Sequence, residues 1–375
     1  MEPDTLYRKL QRHLDRMPVG FPASESGVEI DILRQLFTPA EAELALDLSA
    51  FPEPVATIHK RVKSRMSLAE VIVALDEMAD KGLLLRIPVK DGYRYSKLIF
   101  AIGMYERQMN RLTPKLERDS RQYMDEAFRH AFHSKKTTQM RVVPVNEPIP
   151  VERDVATYED IRAYVQASAG PFAKMTCICR HGKNLLGEKC KQTNLRDNCL
   201  TMSYAATWLV EYGLARFITR EEMLDLLAQA DRDGLVLQPE NTKRPLFVCC
   251  CCGCCCGVLT SAKRFPNPAE YFSSSFCARV DPDACQACGT CETRCQMDAI
   301  RTAPDGKSEV DATRCIGCGL CVTTCPSEAM RLEKKENGKI PPDDTRALYL
   351  RLLRERYGPL GTAKMVALNA LGRKI

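Results

Sequence analysis

The chain has 375 residues, 45% of them hydrophobic, with 54 Lys and Arg against 48 Asp and Glu for a formal charge of +6. This is core enough for two or three domains; it excludes a disordered chain, and no apolar run nears the roughly 18 residues that a membrane-crossing helix needs. The 20 cysteines are far outside ordinary use and call for ligation, disulfides or redox chemistry.

Residues 1–30 begin with the amphipathic stretch L-Y-R-K-L-Q-R-H-L and continue as M-P-V-G-F-P-A-S-E-S-G-V-E-I. The prolines and glycines there predict an irregular loop fastening the first helix to the next domain, or else a linker. In residues 31–133, Thr38-Pro39-Ala40-Glu41 is a capping box with proline at the first helical position, opening a helix to about Ser49. A second short helix follows Pro54. Ser67-Leu68-Ala69-Glu70 opens a third, carrying Val71, Val73, Ala74, Leu75 and Met78, which Gly82 ends. Then L-L-L-R-I-P-V and Y-R-Y-S-K-L, on either side of Lys90-Asp91-Gly92, read as two strands and a turn.

Three helices and a hairpin in that order resemble a winged helix, a fold that often binds DNA. The third helix would be the reader, and it carries Glu70, Asp76, Glu77 and Asp80. Carboxylates are repelled by phosphate, and base reading calls for Arg, Lys, Asn or Gln, so a protein-docking or structural role is expected in place of DNA. The basic run His59, Lys60, Arg61, Lys63 and Arg65 reads as a solvated face. Residues 99–133 read as two further helices, the second announced by Thr113-Pro114, with Tyr105, Met109 and Met124 as core. Residues 134–153, with Pro144, Pro148 and Pro150, read as an extended linker.

The segment 154–276 holds the first cysteine system. Cys177 and Cys179 project together from an extended strand, and Cys190 and Cys199 are placed to fold back towards them. A helix is expected at 201–212, and the capping box Thr219 to Glu222 opens another. Residues 249–257 then read C-C-C-C-G-C-C-C-G, seven cysteines in eight positions. A core strand is better built from leucine or valine, which bury more apolar area without a redox liability, so ligation or redox chemistry is expected. The candidates are Cys177, Cys179, Cys190, Cys199, Cys249, Cys251, Cys252, Cys254, Cys255 and Cys256. They are read as ligands of an additional iron-sulfur cluster, with a zinc or copper thiolate site or a thiol-disulfide relay as alternatives. His181 beside Arg180 reads as a surface histidine.

Residues 277–336 carry the most specific signal. C-Q-A-C-G-T-C-E-T-R-C at 285–295 and C-I-G-C-G-L-C-V-T-T-C-P at 315–326 share the spacing C-x2-C-x2-C-x3-C. In that pattern three thiolates serve one four-iron cube and the fourth serves the other. Cys285, Cys288, Cys291 and Cys325 are thus expected on one [4Fe-4S] cluster, and Cys315, Cys318, Cys321 and Cys295 on a second. V-D-P-D-A-C at 280–285 recurs as V-D-A-T-R-C at 310–315, an offset of thirty residues. One departure is Gln296, where the second run has Pro326. Zinc sites pair C-x2-C units across longer gaps, and disulfides need an export signal that Met1 to Gly20 lacks, so a reducing cytoplasm, oxygen-poor in keeping with the clusters, is expected.

These runs resemble the bacterial two-cluster ferredoxins. Along most of its length the chain also resembles a group of anaerobic bacterial 4Fe-4S binding proteins, through Met17 to Ala23, Cys177 to Arg180, Cys251 to Gly257 and Cys285 to Cys325. The resemblance implies cluster binding and electron transfer, with Cys250 and Cys277 outside its marks. The expected fold is α+β and multi-domain: a winged-helix-like N-terminal domain, a cysteine-rich middle domain and a C-terminal ferredoxin-like (βαβ)2 dicluster domain. The tail, 337–375, is basic, with eight Lys and Arg against three Asp and Glu from Lys339 onward. It suits helices covering the protein's own core, or peripheral contact with an anionic membrane or an acidic flavoprotein. No dinucleotide, nucleotide-phosphate or nucleophile motif is visible, so the chain reads as a carrier serving an oxidoreductase or flavoprotein partner. An iron-sulfur transcription regulator and an enzyme with an unusual cysteine-rich cluster are the alternatives.

Overall fold

Capping chemistry starts helices after Thr38, Ser67 and Thr113, where the sequence puts them. In the computed structural model, which describes residues 3–145, 159–336 and 339–374, Thr38 and Ser67 each accept from the backbone of the glutamate three residues on, and that glutamate returns the bond. The helices are α1 (Pro3–Leu14), α2 (Val28–Leu36), α3 (Pro39–Ala45), α4 (Val55–Val62) and α5 (Leu68–Asp80). Strand β1 (Glu53–Pro54) pairs with β3 (Gly92–Lys97), which forms an antiparallel hairpin with β2 (Leu84–Val89). A last helical stretch runs through α6 (Pro114–Tyr123), one wider turn at Met124–Phe128 and α7 (Arg129–His133).

Two sequence readings change here. The first helix expected in 99–133 does not form: Ala101 and Ile102 are extended, and the Glu106 carboxylate takes the Gly103 N–H at 2.6 Å. Phe100 is instead delivered into an aromatic cluster with Phe21, Tyr123 and Phe128, centroids 4.8–5.7 Å apart. That cluster also explains M-P-V-G-F-P-A. Met17, Val19 and Phe21 are buried, Gln11 donates to the Phe21 carbonyl at 2.6 Å, and Tyr123 donates to that of Pro22 at 2.9 Å. The segment is an ordered part of a core, worth about 3–5 kcal/mol at Phe21 alone.

Residues 1–136 and 349–375 form one compact unit and residues 137–348 another. The second unit is built on a five-stranded antiparallel sheet in the order β6-β4-β5-β8-β7. Its elements are α8 (Ile161–Ala167), β4 (Phe172–Met175), α9 (Ile178–Leu185), β5 (Cys199–Met202), α10 (Tyr204–Glu211), β6 (Ala215–Ile218), α11 (Arg220–Arg232), β7 (Val236–Pro239), β8 (Phe247–Cys251) and α12 (Gly257–Ala262). β9 (Phe276–Val280), α13 (Thr290–Arg294), β10 (Ile300–Thr302), β11 (Ser308–Val310) and β12 (Met330–Lys334) follow, and one apolar core runs from α8, α11 and the five-stranded sheet through these last elements. The segments 154–276 and 277–336 thus share a core.

Asp231 in α11 fastens them further. Its backbone carbonyl accepts from Arg294 at 2.7 Å and its carboxylate from Thr323 at 3.0 Å. Of the expected linker, Pro148 and Pro150 lie outside the described residues. Arg141 to Val143 bond to Pro239, Ser273 and Leu237, so that part belongs to this unit's core.

The tail is one helical run, α14 (Thr345–Ala370), broken at Gly358, where φ is 71°, just before Pro359. Within the first unit Arg356 donates to the Met17 carbonyl at 2.8 Å, Asn369 accepts from Ser49 at 3.0 Å, and Lys374 pairs with Asp47. Among the described residues, no helix is long and apolar enough to cross a membrane.

Lys97 lies buried in the first unit, its ammonium donating to the His13 carbonyl at 3.1 Å. Burial, with Arg16 and Lys374 nearby, lowers its pKa to about 7. The unfolded chain keeps that proton to about pH 10, so it binds more protons than the folded chain between pH 7 and 10. Stability therefore rises with pH across this window and falls as pH returns to 7. Replacing Lys97→Met is expected to flatten that slope in anaerobic urea titrations; an unchanged slope assigns the pH dependence to other groups.

Candidate metal centres

The dicluster repeat is built twice on one plan. β9 pairs with β12 and β10 with β11, both antiparallel. The Asp281 N–H reaches the Ala329 carbonyl at 2.8 Å, and Asp311 thirty residues later reaches Ala299 at the same distance. Each aspartate carbonyl then accepts from the first cysteine of its run, Cys285 at 3.1 Å and Cys315 at 3.0 Å. Left-handed residues recur at the same offset, Ala287 with Gly317 and Gly289 with Gly319. At Gly317 a Cβ would lie 2.1 Å from the Phe276 carbonyl, so only glycine fits, whereas Ala287 is at the surface.

The first quartet surrounds a space. Cys285, Cys288 and Cys291 from one loop and Cys325 from the other half line an apolar pocket, open to solvent on one side, together with Val280 and Met330. Three sulfurs from one run and one from its repeat, around an apolar cavity, fit a four-iron cube. Cys288 is exposed and Cys285 half-buried. The thiol of Cys285 is held down by the Ser308 and Ala287 N–H groups, and that of Cys288 by the hydroxyl and N–H of Thr290.

The second quartet is enclosed. Cys315 and Cys321 are buried, and burial pushes the Cys318 thiol up to about 12. Cys321 is raised by burial and then by Cys318, Cys315 and Cys295, so these four share one environment. Backbone donors serve it symmetrically, the Ala278 N–H to Cys315 at 3.3 Å and the Ala299 N–H to Cys295 at 3.2 Å. Cys277 hydrogen-bonds to Cys315 from β9.

The upstream cysteines separate into two groups. Successive residues of β8 point to opposite faces, which puts Cys249 and Cys251 on one side and Cys250, with Val248, on the other. Cys199 stands opposite Cys249 across the β5–β8 ladder, sulfurs 4.0 Å apart. Cys249 is joined to Cys251, Cys251 to Cys256, Cys256 to Cys179 and Cys179 to Cys177 by hydrogen bonds between thiols. Cys177 and Cys256 are the residues from which α9 and α12 start, so two helix N-termini face this row of six sulfurs and favour negative charge on it. The strand expected around Cys177 and Cys179 ends at Met175; a helix holds Cys179.

The other group is a knot of four, Cys190, Cys252, Cys254 and Cys255, with all sulfurs within 4.8 Å of one another. Cys190 is 3.7 Å from both Cys252 and Cys254. Hydrogen bonds from Cys252, then Cys254 and Cys255, pull the Cys190 thiol far down, and the same contacts push that of Cys255 up. Four touching thiols ionise together only around a cation. Cys250 joins neither group; burial raises its thiol to about 12.

Arg180 lies between the two groups. Its guanidinium is buried, donates to the Cys250 carbonyl at 2.5 Å, to Leu195 at 3.2 Å and to Asn198, and hydrogen-bonds to Cys252. The opposing thiolates of Cys177 and Cys252 hold its charge on. Gln296 is the other residue whose part the sequence conceals. Its side chain accepts from the Gly253 N–H at 2.7 Å and donates to Gln192 at 3.0 Å, tying the residue after Cys295 to both loops of the four-sulfur knot. This is what replaces the proline of the second run.

Residues 278–332 match the family described as the 4Fe-4S dicluster domain. No curated protein and no solved structure matches the chain. Residues 278–332 are thus a 4Fe-4S dicluster domain, and a second cysteine-rich site lies in the residues before it.

Replacing Arg180→Met removes the buried guanidinium between the upstream groups. The midpoint potential of the upstream centre is expected to fall by on the order of 50–100 mV in a titration followed by electron paramagnetic resonance. Cys250→Ala, on the opposite face, should leave metal content and potentials as they are; metal loss in that variant would place Cys250 among the ligands.

Proposed function

We propose that the chain carries electrons through two [4Fe-4S] clusters and a further cluster on the row of six sulfurs, serving an oxidoreductase or flavoprotein partner. The observation that carries this is the cavity bounded by Cys285, Cys288, Cys291 and Cys325, three sulfurs from one run and one from the other. When bound, such a cluster takes up and returns single electrons.

The protein's own residues divide the labour. Cys315, Cys318, Cys321 and Cys295 are proposed for the second cluster, and Cys177, Cys179, Cys199, Cys249, Cys251 and Cys256 supply more thiolates than one four-iron cluster requires. The exposed Cys288 makes the loop 285–290 the place where a partner approaches. Cys321 senses Cys291, which puts the two ferredoxin quartets side by side. Gln296 then leads from the second quartet towards the upstream loops. The order is surface, first quartet, second quartet, upstream sulfurs.

The winged-helix-like reading of the first unit rests on α3, α4 and α5 followed by the β2–β3 hairpin. DNA is disfavoured by what α5 exposes, the carboxylates Glu70, Glu77 and Asp80 and the apolar Leu68, Ile72 and Val73, while Asp76 is paired with Arg86 at 2.9 Å. The contacts of Arg356, Asn369 and Lys374 favour a tail that covers its own unit over one that lies on a membrane.

Burial disfavours the extra negative charge of a reduced cluster, and donated hydrogen bonds favour it. The first quartet, exposed and served by Ser308 and Thr290, is therefore expected at the less negative potential. A reductive titration should show two low-potential steps, with Cys288→Ser displacing the less negative one. Displacement of the more negative step would reverse the order of the relay.

A further inference from the structure

The knot at Cys190, Cys252, Cys254 and Cys255 differs in kind from the ferredoxin quartets. The first of those quartets lines a pocket that opens between its sulfurs. In the knot the sulfurs close on one another, with Cys190–Cys252 and Cys190–Cys254 at 3.7 Å and Cys254–Cys255 at 3.6 Å. Among the described residues, no other group of three or more His, Cys, Asp or Glu brings its ligand atoms within 4.8 Å of one another.

Those edges have a definite meaning. A metal–sulfur bond of about 2.3 Å in a tetrahedral shell sets the sulfurs about 3.8 Å apart. The cysteine sulfurs of a four-iron cube stand about 6 Å apart, because each lies outside a different corner. We infer that Cys190, Cys252, Cys254 and Cys255 hold one divalent ion, zinc or iron, in a tetrahedral thiolate shell without inorganic sulfide.

The surroundings are built for such a site. The Gln192 N–H is turned to Cys190 and the Lys191 N–H to Cys254, while Arg180 serves Cys252, so the thiolate charge meets donors from three directions. Gly253 lets the loop double back between its cysteines. A Cβ there would lie 2.3 Å from the Gln296 carbonyl, and the Gly253 N–H is taken by the Gln296 side chain. One ion thus clamps the loop 190–192 to the loop 252–255, and Gln296, the residue after the proposed second-cluster ligand Cys295, bonds to both. The row of six upstream sulfurs is strung out, with no three of them mutually this close, and suits a polynuclear centre.

The test is a metal balance on the full chain, purified without oxygen. Iron-sulfur cubes carry iron and sulfide in equal number, so a single-ion site appears as zinc plus iron exceeding acid-labile sulfide by about one per chain. X-ray absorption at the zinc edge, or Mössbauer spectra if the ion is iron, should show four sulfurs at about 2.3 Å and no neighbouring metal. Cys190→Ser and Cys254→Ser should each abolish the excess and leave sulfide unchanged. Metal and sulfide in balance in the wild type overturns the inference, as does loss of four irons with four sulfides in either variant. The wild-type balance decides the matter even if the variants fail to fold. Failure of the dicluster reading would show separately, as sulfide below about eight per chain.

Discussion

Thiolates brought into contact repel one another, and the structure of residues 137–348 is arranged around supplying positive charge where they meet. Part of that charge comes with the metal. The rest belongs to the chain: the buried guanidinium of Arg180 between the two upstream groups, the ends of α9 and α12 at Cys177 and Cys256, and backbone N–H groups at Cys285, Cys295 and Cys315. Without ligands these sites would oppose folding, because unpaired buried charge is costly. Metal loading and the integrity of this unit are therefore expected to be coupled.

The repeat of thirty residues supplies economy and also its exception. Asp281 with Asp311 and Ala287 with Gly317 do the same jobs in each half. Where the halves diverge, a contact to the rest of the unit explains it. Gly317 is required because the second loop is pressed against Phe276, and Gln296 replaces a proline because its amide is used by Gly253 and Gln192. The first half keeps an exposed Cys288 and the second is enclosed. A duplicated motif has thus become directional, with one end at the solvent and the other at the upstream cysteines.

Much of this was legible in the sequence, because short-range patterns are self-contained. The capping boxes at Thr38 and Ser67 and the turn at Lys90-Asp91-Gly92 need no tertiary information, and the C-x2-C-x2-C-x3-C spacing groups Cys285, Cys288 and Cys291 with Cys325, which line one pocket. Residues 99–104 misled because Phe100 and Met104 satisfy helical spacing, yet Phe100 is claimed by aromatics distant in the chain. The grouping of the ten upstream cysteines lay out of reach for the same reason: Cys190 and Cys252 meet only once the loops of two different elements are folded together. Strand alternation did hold a usable clue, since the period of two separates Cys250 from Cys249 and Cys251 once 247–251 is taken as a strand. Arg180 closes the Cys177 to Arg180 mark and Gln296 stands where the second run has Pro326, but neither position disclosed its contacts, which come from loops distant in the chain.

On the proposed function, the upstream row of six sulfurs holds a polynuclear iron centre beside the dicluster domain. The most direct measurement is the Mössbauer spectrum of 57Fe-enriched, anaerobically purified chain. Beyond two four-iron components of about equal weight, a third multi-iron component is expected, which Cys249→Ser or Cys256→Ser removes. A spectrum made of the two ferredoxin components alone, with Cys249 and Cys256 titrating as free thiols, would contradict it.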